Sequence, residues 1–279
     1  MEHQITRKLD LCKDDYLLEV IAPKVAERFR PGNFVILITV PNGERIPMSV
    51  QKAEKGKIAM FIKRLGKTSY ELDSFKVGDS LVAVIGPLGN PPPMKKYGNI
   101  IFASDLVCGH AENYAFCQGL KSIGGNYVIS LQTFPTKSEV YPEEFRPVHL
   151  CDEYYLTTLD GTEGAKGHYI EVLKSLLEEK KIDIIFAGGD IPNLQKLAEL
   201  TRSYQIPTIV TVRQIMVDGT GMCGSCRVFV DGEMKLTCID GPMFDAHRLN
   251  FQDIINRLSM FKQREEQALK EYLRKKGEV

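Results

Sequence analysis

Three cysteines in the C-terminal part of the sequence have the residue type and spacing of redox-metal ligands. Cys223, Cys226 and Cys238 follow Asp218 in the pattern D-x4-C-x2-C-x11-C. Plant-type 2Fe-2S ferredoxins use C-x4-C-x2-C with a distant fourth cysteine, so this is that spacing with aspartate in the first position. Glycines between the ligands allow the loop to wrap tightly. We therefore predict a 2Fe-2S cluster held by the three thiolates and by the Asp218 carboxylate, the harder ligand.

Two other interpretations of this segment stay open. A structural zinc site could use the three cysteines with Asp218 or His247, although zinc ribbons normally have a second C-x2-C at hairpin spacing. Asp218 could instead only form a turn with the glycine that follows it, and the fourth ligand would then lie elsewhere. His247 could also donate a hydrogen bond to a cluster sulfide, but a packing or surface role is more common for a histidine.

A second group of residues could bind the pyrophosphate of a dinucleotide. The run Gly66, Lys67, Thr68, Ser69 is typical of a loop that opens a short helix, where backbone amides and small hydroxyls bind phosphate. Arg45 lies on a predicted strand edge and could complete the clamp with a bidentate contact. The run is not a P-loop, because that motif needs glycine where Phe61 stands.

Composition excludes several classes of partner. Lys plus Arg number 36 and Asp plus Glu number 36, so net charge gives no reason to expect nucleic acid or an anionic membrane. No apolar run is long enough to span a membrane, and residues 1–15 lack the apolar core of a signal peptide. Seven cysteines in a chain of 279 residues fit a reducing compartment, so we expect a cytoplasmic protein.

The periodicity predicts an α+β chain with an antiparallel barrel first and a parallel α/β sheet after it. Short β-rich runs separated by turn residues occupy the N-terminal part. Apolar runs alternating with helical stretches follow, which is typical of a parallel sheet covered by helices. The predicted barrel strands are residues 34–40, 57–63 and 81–85. The predicted α/β strands are 100–103, 127–132, 154–158, 182–187 and 206–212, with helices at 111–121, 169–179 and 193–204.

The proline-rich segment 86–93 cannot be continuous helix or central strand, so it is the best domain boundary. Residues 213–245 show no regular period, and a helical tail is predicted over 252–276. We therefore divide the chain into a barrel (1–93), an α/β domain resembling a nucleotide-binding one (94–212), a cluster-binding region (213–250) and a C-terminal helix (251–279).

The order of these motifs resembles one family over nearly the whole chain. The predicted barrel contains R-x-x-x-S, GKTS-x-EL and GPLG in this order, and the α/β domain and the cysteine loop follow it. The cluster region contains VDGTGMCGSCRV and CIDGPMFDAH. This resembles the ferredoxin-reductase-like electron-transfer subunits that serve dihydroorotate dehydrogenase, sulfide dehydrogenase and the electron-bifurcating NADH-dependent reduced ferredoxin:NADP oxidoreductase. The resemblance favours the last group, in which aspartate and three cysteines hold the cluster.

The resemblance implies the cofactors and a partner. FAD would lie across the barrel, with Arg45 and Ser49 near its phosphates and ring and with the Gly66 to Ser69 loop on the pyrophosphate. The resemblance also implies that Pro47 and Met48 contact the cofactor. They replace the aromatic residue of many relatives, so stacking on the flavin ring stays open at that point. The chain would pass electrons between FAD and the cluster to a larger flavin and iron-sulfur subunit of the glutamate synthase small-subunit type. Ferredoxin is a further candidate partner, and no separate catalytic residue is predicted.

NAD(P) binding stays open at this stage. Relatives that use NAD(P) carry a glycine-rich turn after the first strand of the second domain, because a bare backbone can approach the dinucleotide. Here the stretch reads SDLVCGH over 104–110, and Asp105 places a carboxylate where a pyrophosphate would lie. Cys108 could be reactive there, although most isolated cysteines are small buried apolar residues. A subunit that no longer binds NAD(P), and a zinc-stabilised scaffold without catalysis, are the alternatives.

Overall fold

The first sheet is antiparallel and closes on itself. A computed structural model of the chain describes residues 2–277. Six strands pair in the order β1-β2-β5-β4-β3-β6. They are β1 (Ile5–Asp10), β2 (Asp15–Ile21), β3 (Phe34–Ile38), β4 (Arg45–Glu54), β5 (Lys57–Lys63) and β6 (Ala83–Leu88). The start of β1 is bonded to the segment before β6: the N–H of Ile5 donates to the carbonyl of Asp79 at 2.8 Å. The predicted barrel is therefore formed.

Strand β3 is buried on both faces, as expected for an uninterrupted apolar run, FVILI. Val35 and Leu37 pack into the barrel core with residues from the other strands. Phe34 and Ile36 point the other way, into a separate apolar cluster outside the barrel. Two short helices, α1 (Pro23–Arg28) and α2 (Lys67–Asp73), each bury one apolar side chain in the barrel core.

The second sheet has seven strands in the order β10-β9-β8-β7-β11-β12-β15, all parallel except the last pair. The remaining strands are β7 (Asn99–Ser104), β8 (Tyr127–Phe134), β9 (Glu153–Thr158), β10 (Ala165–Lys166), β11 (Ile184–Gly188), β12 (Thr208–Thr211), β13 (Arg227–Val230), β14 (Glu233–Leu236) and β15 (Met243–Asp245). The strand order reverses between β7 and β11. In open α/β sheets, the crevice at such a switch point is the usual place for a ligand.

Helices cover both faces of this sheet. Helix α3 (Val107–Ile123) packs Phe116 and Leu120 against one face, while α4 (Tyr169–Glu179) and α5 (Ile191–Ser203) pack Leu173 and Leu197 against the other. Two more helices, α6 (Phe251–Ser259) and α7 (Lys262–Lys276), end the described chain. None of the helices within residues 2–277 has the length and apolar content that a membrane crossing needs. The predicted α+β fold class is confirmed.

Several predicted elements were wrong in their details. The region 213–245 contains the hairpin of β13 and β14, whose turn residues Asp231 and Gly232 both have positive φ. Asp-Gly between alternating residues is a strong hairpin signal, so the sequence contained it. The predicted single tail helix is two helices, α6 and α7. Strands β1 and β2 were missed, and α3 begins four residues before the predicted 111.

Helix α3 docks on the sheet through a contact between two glycines. A Cβ atom on Gly109 would lie 1.9 Å from the carbonyl oxygen of Gly188, at the end of β11. No side chain fits at that distance, so only glycine allows the first turn of α3 to approach the switch point.

We predict that Gly109→Ala lowers the free energy of unfolding by about 3 kcal/mol, because the backbone of α3 or β11 must move apart. Urea unfolding followed by circular dichroism would measure the change. Ser175→Ala, which places alanine at an exposed position of α4, is the control and should change stability little. Equal stability of Gly109→Ala and the wild type would show that the contact is not rigid.

Candidate functional site

Alternation along β4 separates the predicted flavin residues between two faces. Ser49 pairs with Phe34 of β3 and Pro47 pairs with Ile36, so these side chains share the face outside the barrel. Arg45, two residues before Pro47, lies on the same face and is exposed. Met48 instead packs with the barrel core. Only the backbone of Met48 can therefore face a ligand on this surface, and its predicted contact with a cofactor stays a prediction.

The start of α2 lies beside the start of β4, and Glu44 connects them. The Glu44 carboxylate accepts a hydrogen bond from the hydroxyl of Thr68, and the Lys67 ammonium lies 3.5 Å from its other oxygen. The Ser69 hydroxyl accepts from the N–H of Leu65 at 2.9 Å and from that of Gly66 at 3.0 Å. The structure thus brings the two predicted halves of the phosphate clamp together. Some of the groups that would bind phosphate are already paired within the chain: Glu44 contacts Lys67 and Thr68, and Ser69 accepts from the N–H of Gly66.

Two of the predicted cluster ligands are buried side by side. Cys226 and Cys238 are each 2% exposed and pack with Phe34 and Ile36 of β3. Burial and the neighbouring Cys226 thiol raise the pKa of Cys238. Without a metal the Cys238 thiol stays protonated, and a metal would be needed to hold it as a thiolate.

The other two predicted ligands lie on a loop above this pair. Cys223 is exposed, and the Asp218 carboxylate accepts hydrogen bonds from the N–H groups of Thr220 and Cys223, both at 2.8 Å. These two backbone hydrogen bonds hold the pKa of Asp218 below its usual range, and the bond from Thr220 has the larger effect. The loop lies directly on β3, because a Cβ atom on Gly219, whose φ is +75°, would be 2.9 Å from Ile36.

The three cysteines and Asp218 have the chemistry of cluster ligands, but only some of them lie together in the structure. Within residues 2–277, no three candidate ligands surround a single point. Cys226 and Cys238 are in contact, whereas Asp218 and Cys223 lie on the loop that would close over them. His247 is engaged elsewhere, since its Nε2 lies 3.0 Å from the hydroxyl of Thr201 on α5.

The crevice at the sheet's switch point is occupied by a carboxylate of the chain itself. Asp105 lies between β7 and α3 and accepts bonds from the backbone N–H of Asp190 at 2.8 Å and the side-chain amide of Asn193 at 2.7 Å. His168 Nε2 lies 2.9 Å from the same carboxylate. Burial opposes ionisation, but these bonds outweigh it and lower the pKa of Asp105. The Asp105 carboxylate therefore already accepts hydrogen bonds from the donors at the start of α5.

Sequence reasoning missed Glu112, which lies on α3 and faces Ser49. Its side chain is 3% exposed, and the Ser49 hydroxyl donates to its Oε1 at 2.8 Å. Burial raises the pKa of Glu112 to about 7. The available signal was a lone acid among the apolar residues of a helix that must pack on a sheet. Burial also raises the pKa of nearby Cys108 to about 11, which argues against a reactive thiol.

Comparisons with known proteins agree with this architecture. A family model for the iron-sulfur cluster binding domain of dihydroorotate dehydrogenase B matches residues 213–250. A dihydroorotate dehydrogenase B electron transfer subunit homolog of Thermotoga maritima is 34% identical over 99% of this chain and 97% of its own length. A probable subunit of the same kind from Methanopyrus kandleri is 28% identical over 88% of this chain and 90% of its own.

One solved structure is similar over the full length. It is a chain from the structure of an NADH-dependent reduced ferredoxin-NADP oxidoreductase, described in terms of flavin-based electron bifurcation. The two chains are 34% identical and superpose with a TM-score of 0.91 over 98% of each.

We predict that Asp105→Asn lowers the free energy of unfolding at pH 7 by about 2 kcal/mol, because a buried acceptor of charge-assisted hydrogen bonds is lost. Since the folded-state pKa of Asp105 lies below the unfolded one, its contribution is present above about pH 4 and fades as the pH falls further. Urea unfolding at several pH values would test this, with exposed Glu178→Gln as control. A difference that does not narrow in acid would contradict the role of the charge.

Proposed function

The chain belongs to the family of dihydroorotate dehydrogenase B electron transfer subunits and their homologues, and we propose that it passes electrons between an FAD on the outer face of β4 and a 2Fe-2S cluster under the 218–226 loop. FAD exchanges two electrons and the cluster one, so together they convert a two-electron donor into single-electron steps. The predicted class, an electron-transfer subunit of a flavin and iron-sulfur oxidoreductase, is confirmed by these relatives.

The observation that carries the proposal is the position of β3 between the two sites. Ser49 and Pro47 of the proposed flavin surface pair directly with Phe34 and Ile36. Those two residues of β3 pack on Cys226 and Cys238. Adjacent strands are about 4.8 Å apart, so a ring on β4 and a cluster at these cysteines would be separated by one strand and its side chains.

The proposed FAD contacts follow from the geometry of the clamp. Arg45 and Lys67 supply positive charge, and Gly66 and Thr68 supply the start of α2. Pro47, Ser49 and the backbone of Met48 line the strand where the ring would lie. Glu44 now pairs with Lys67 and Thr68, so we propose that it releases them when phosphate binds.

The cysteine loop also supports a proposed docking site for a partner. Met222 is 88% exposed and Ile239 is 47% exposed, and both lie beside the proposed cluster. Apolar side chains around a redox centre favour a protein partner over open solvent. We propose the larger flavin and iron-sulfur subunit as this partner, of the glutamate synthase small-subunit type. We also propose that the complex acts in the cytoplasm, in keeping with the free state of the seven cysteines.

A second candidate function is a relay subunit that does not take NAD(P), and Asp105 favours it. One similar chain of known structure comes from an NADH-dependent enzyme. In this chain a buried carboxylate holds the amide donors at the start of α5, where it would repel the phosphates of a dinucleotide.

Arg45→Ala should weaken FAD binding by about 10-fold to 100-fold, because a bidentate contact with phosphate is lost. Equilibrium titration of the flavin-free protein with FAD, followed by flavin fluorescence, would measure the dissociation constant. Arg28→Ala, an exposed arginine on α1 of the same barrel, is the matched control and should leave the constant unchanged. Unchanged affinity in Arg45→Ala, or isolation of the protein with FMN alone, would count against the proposed site.

Two substitutions of Asp218 distinguish a ligand from a turn former. Asn keeps an oxygen acceptor for one of the two loop amides but supplies no carboxylate, whereas Cys supplies a thiolate but no oxygen acceptor. If Asp218 binds iron, Asp218→Cys should keep the cluster with a shifted reduction potential, and Asp218→Asn should make it labile. Iron content, EPR line shape and midpoint potential are the measurements.

Exposed Asp231→Asn is the control for the loss of one carboxylate and should leave all three quantities unchanged. A stable cluster with an unaltered EPR spectrum in Asp218→Asn would mean that Asp218 only shapes the turn.

A further inference from the structure

Buried polar atoms without hydrogen-bond partners gather where α3 meets the end of β12. Glu112 Oε2 is one of them, although Oε1 of the same carboxyl accepts from Ser49. Buried polar groups are nearly always paired, so such a group indicates a missing partner. The others in this region, among residues 2–277, are Thr211 Oγ1, Arg213 Nε and Gln214 Nε2.

The carboxyl of Glu112 is enclosed and forms no short ion pair within the described residues. Its Oε2 lies against Gly188, where a Cβ atom would be only 2.6 Å away, so the carboxyl is enclosed by backbone. A close ion pair does not explain the acidic residue at this position, since the guanidinium of Arg213 lies 3.9 Å from a carboxylate oxygen of Asp190. The Ser49 hydroxyl, on the face of β4 assigned above to the flavin ring, donates to Glu112 at 2.8 Å, and the Thr211 hydroxyl lies beside the same carboxyl.

We propose that Glu112 holds and moves the proton that the bound flavin releases and takes up, with the Ser49 hydroxyl as the bridge. The inference rests on the proposed function, because it requires the ring to lie on the face of Ser49. It adds a residue from α3, outside the barrel, to the chemistry of the flavin.

The step balances in protons and electrons. A bound reduced flavin would carry a proton on a ring nitrogen, and its two electrons would leave one at a time through the 2Fe-2S cluster, which passes the first to an external one-electron acceptor, such as the ferricyanide of the test below, before it takes the second. The ring N–H bond then breaks, and its proton passes to Ser49 Oγ while the Ser49 hydroxyl proton passes to the Glu112 carboxylate. Ser49 ends as it began and Glu112 becomes a carboxylic acid. Reduction by single electrons runs the same path backwards.

The surrounding charges leave Glu112 as the group suited to this exchange near neutral pH. From β4 it meets Ser49, and from β12 and the segment after it Thr211 and Arg213. On α3 itself, burial raises the pKa of Cys108 to about 11 and lowers that of His110 to about 3, so neither changes charge near pH 7. Burial raises the pKa of Glu112 to about 7, against the opposing effects of Thr211, Ser49 and Arg213.

Glu112→Gln should slow oxidation of the reduced flavin by about 100-fold in protein carrying FAD and the cluster, in keeping with loss of a proton acceptor. The reaction is followed by stopped-flow absorbance after mixing with ferricyanide. In the wild type the rate should rise as the pH passes through about 7, because only the carboxylate accepts a proton. Glu112→Gln should lose this inflection, and Glu112→Asp should recover part of the rate.

The control is Glu199→Gln, an exposed acid on α5, which should behave as the wild type. Flavin content and the flavin absorbance spectrum are measured on every variant. Full flavin content in Glu112→Gln with an unchanged rate and pH profile would overturn the inference while leaving the proposed function intact. Absence of FAD from the wild type would instead overturn the proposed function.

A second measurement covers the case in which Glu112→Gln does not fold or loses flavin. The oxidised-minus-reduced infrared difference spectrum of the wild type at pH 7 should contain the band of a newly protonated carboxyl. That band should shift in Glu112→Asp. A wild-type spectrum without any carboxyl band would rule out proton transfer to Glu112.

Discussion

The packing of β3 against the buried cysteines is the contact on which this account depends. Phe34 and Ile36 belong to the barrel as residues of β3, where they lie opposite Ser49 and Pro47 of β4. The same two side chains pack against Cys226 and Cys238 of the cysteine region. A strand in the middle of a sheet cannot shift without breaking two ladders. The distance between the flavin surface and the cysteine pair is therefore fixed by the fold and does not depend on loops.

Around this strand, acidic side chains of the chain itself occupy positions that face the proposed ligands. Glu44 holds the start of α2, Asp105 holds the start of α5, and Glu112 faces Ser49. Each is explained by a different balance of forces. Glu44 is exposed and contacts Lys67 and Thr68, and Asp105 is stabilised as an anion by three donors. For Glu112, burial outweighs the donors around it and raises its pKa to about 7.

Local patterns predicted much of the fold, because barrel strands and α/β helices follow their own apolar periods. The strand at Lys57–Lys63 and the helix at Tyr169–Glu179 have the predicted bounds. Two features of the site could not be predicted, because they depend on pairing over long distances. The inward orientation of Met48 follows from the register with Val35, and the importance of Glu112 follows from a contact 63 residues away along the chain. The assignment of Cys223, Cys226 and Cys238 as cluster ligands stays a prediction, made from their local spacing.

The most direct test of the central claim is whether flavin and cluster exchange electrons inside one chain. Purified protein carrying both cofactors would be reduced by a short radiolytic pulse, and flavin absorbance and the cluster signal would be followed in time. If β3 separates the sites as described, the two signals should change together in one phase whose rate does not depend on protein concentration. A phase whose rate rises with protein concentration would mean that electrons pass between molecules, and the account would be contradicted.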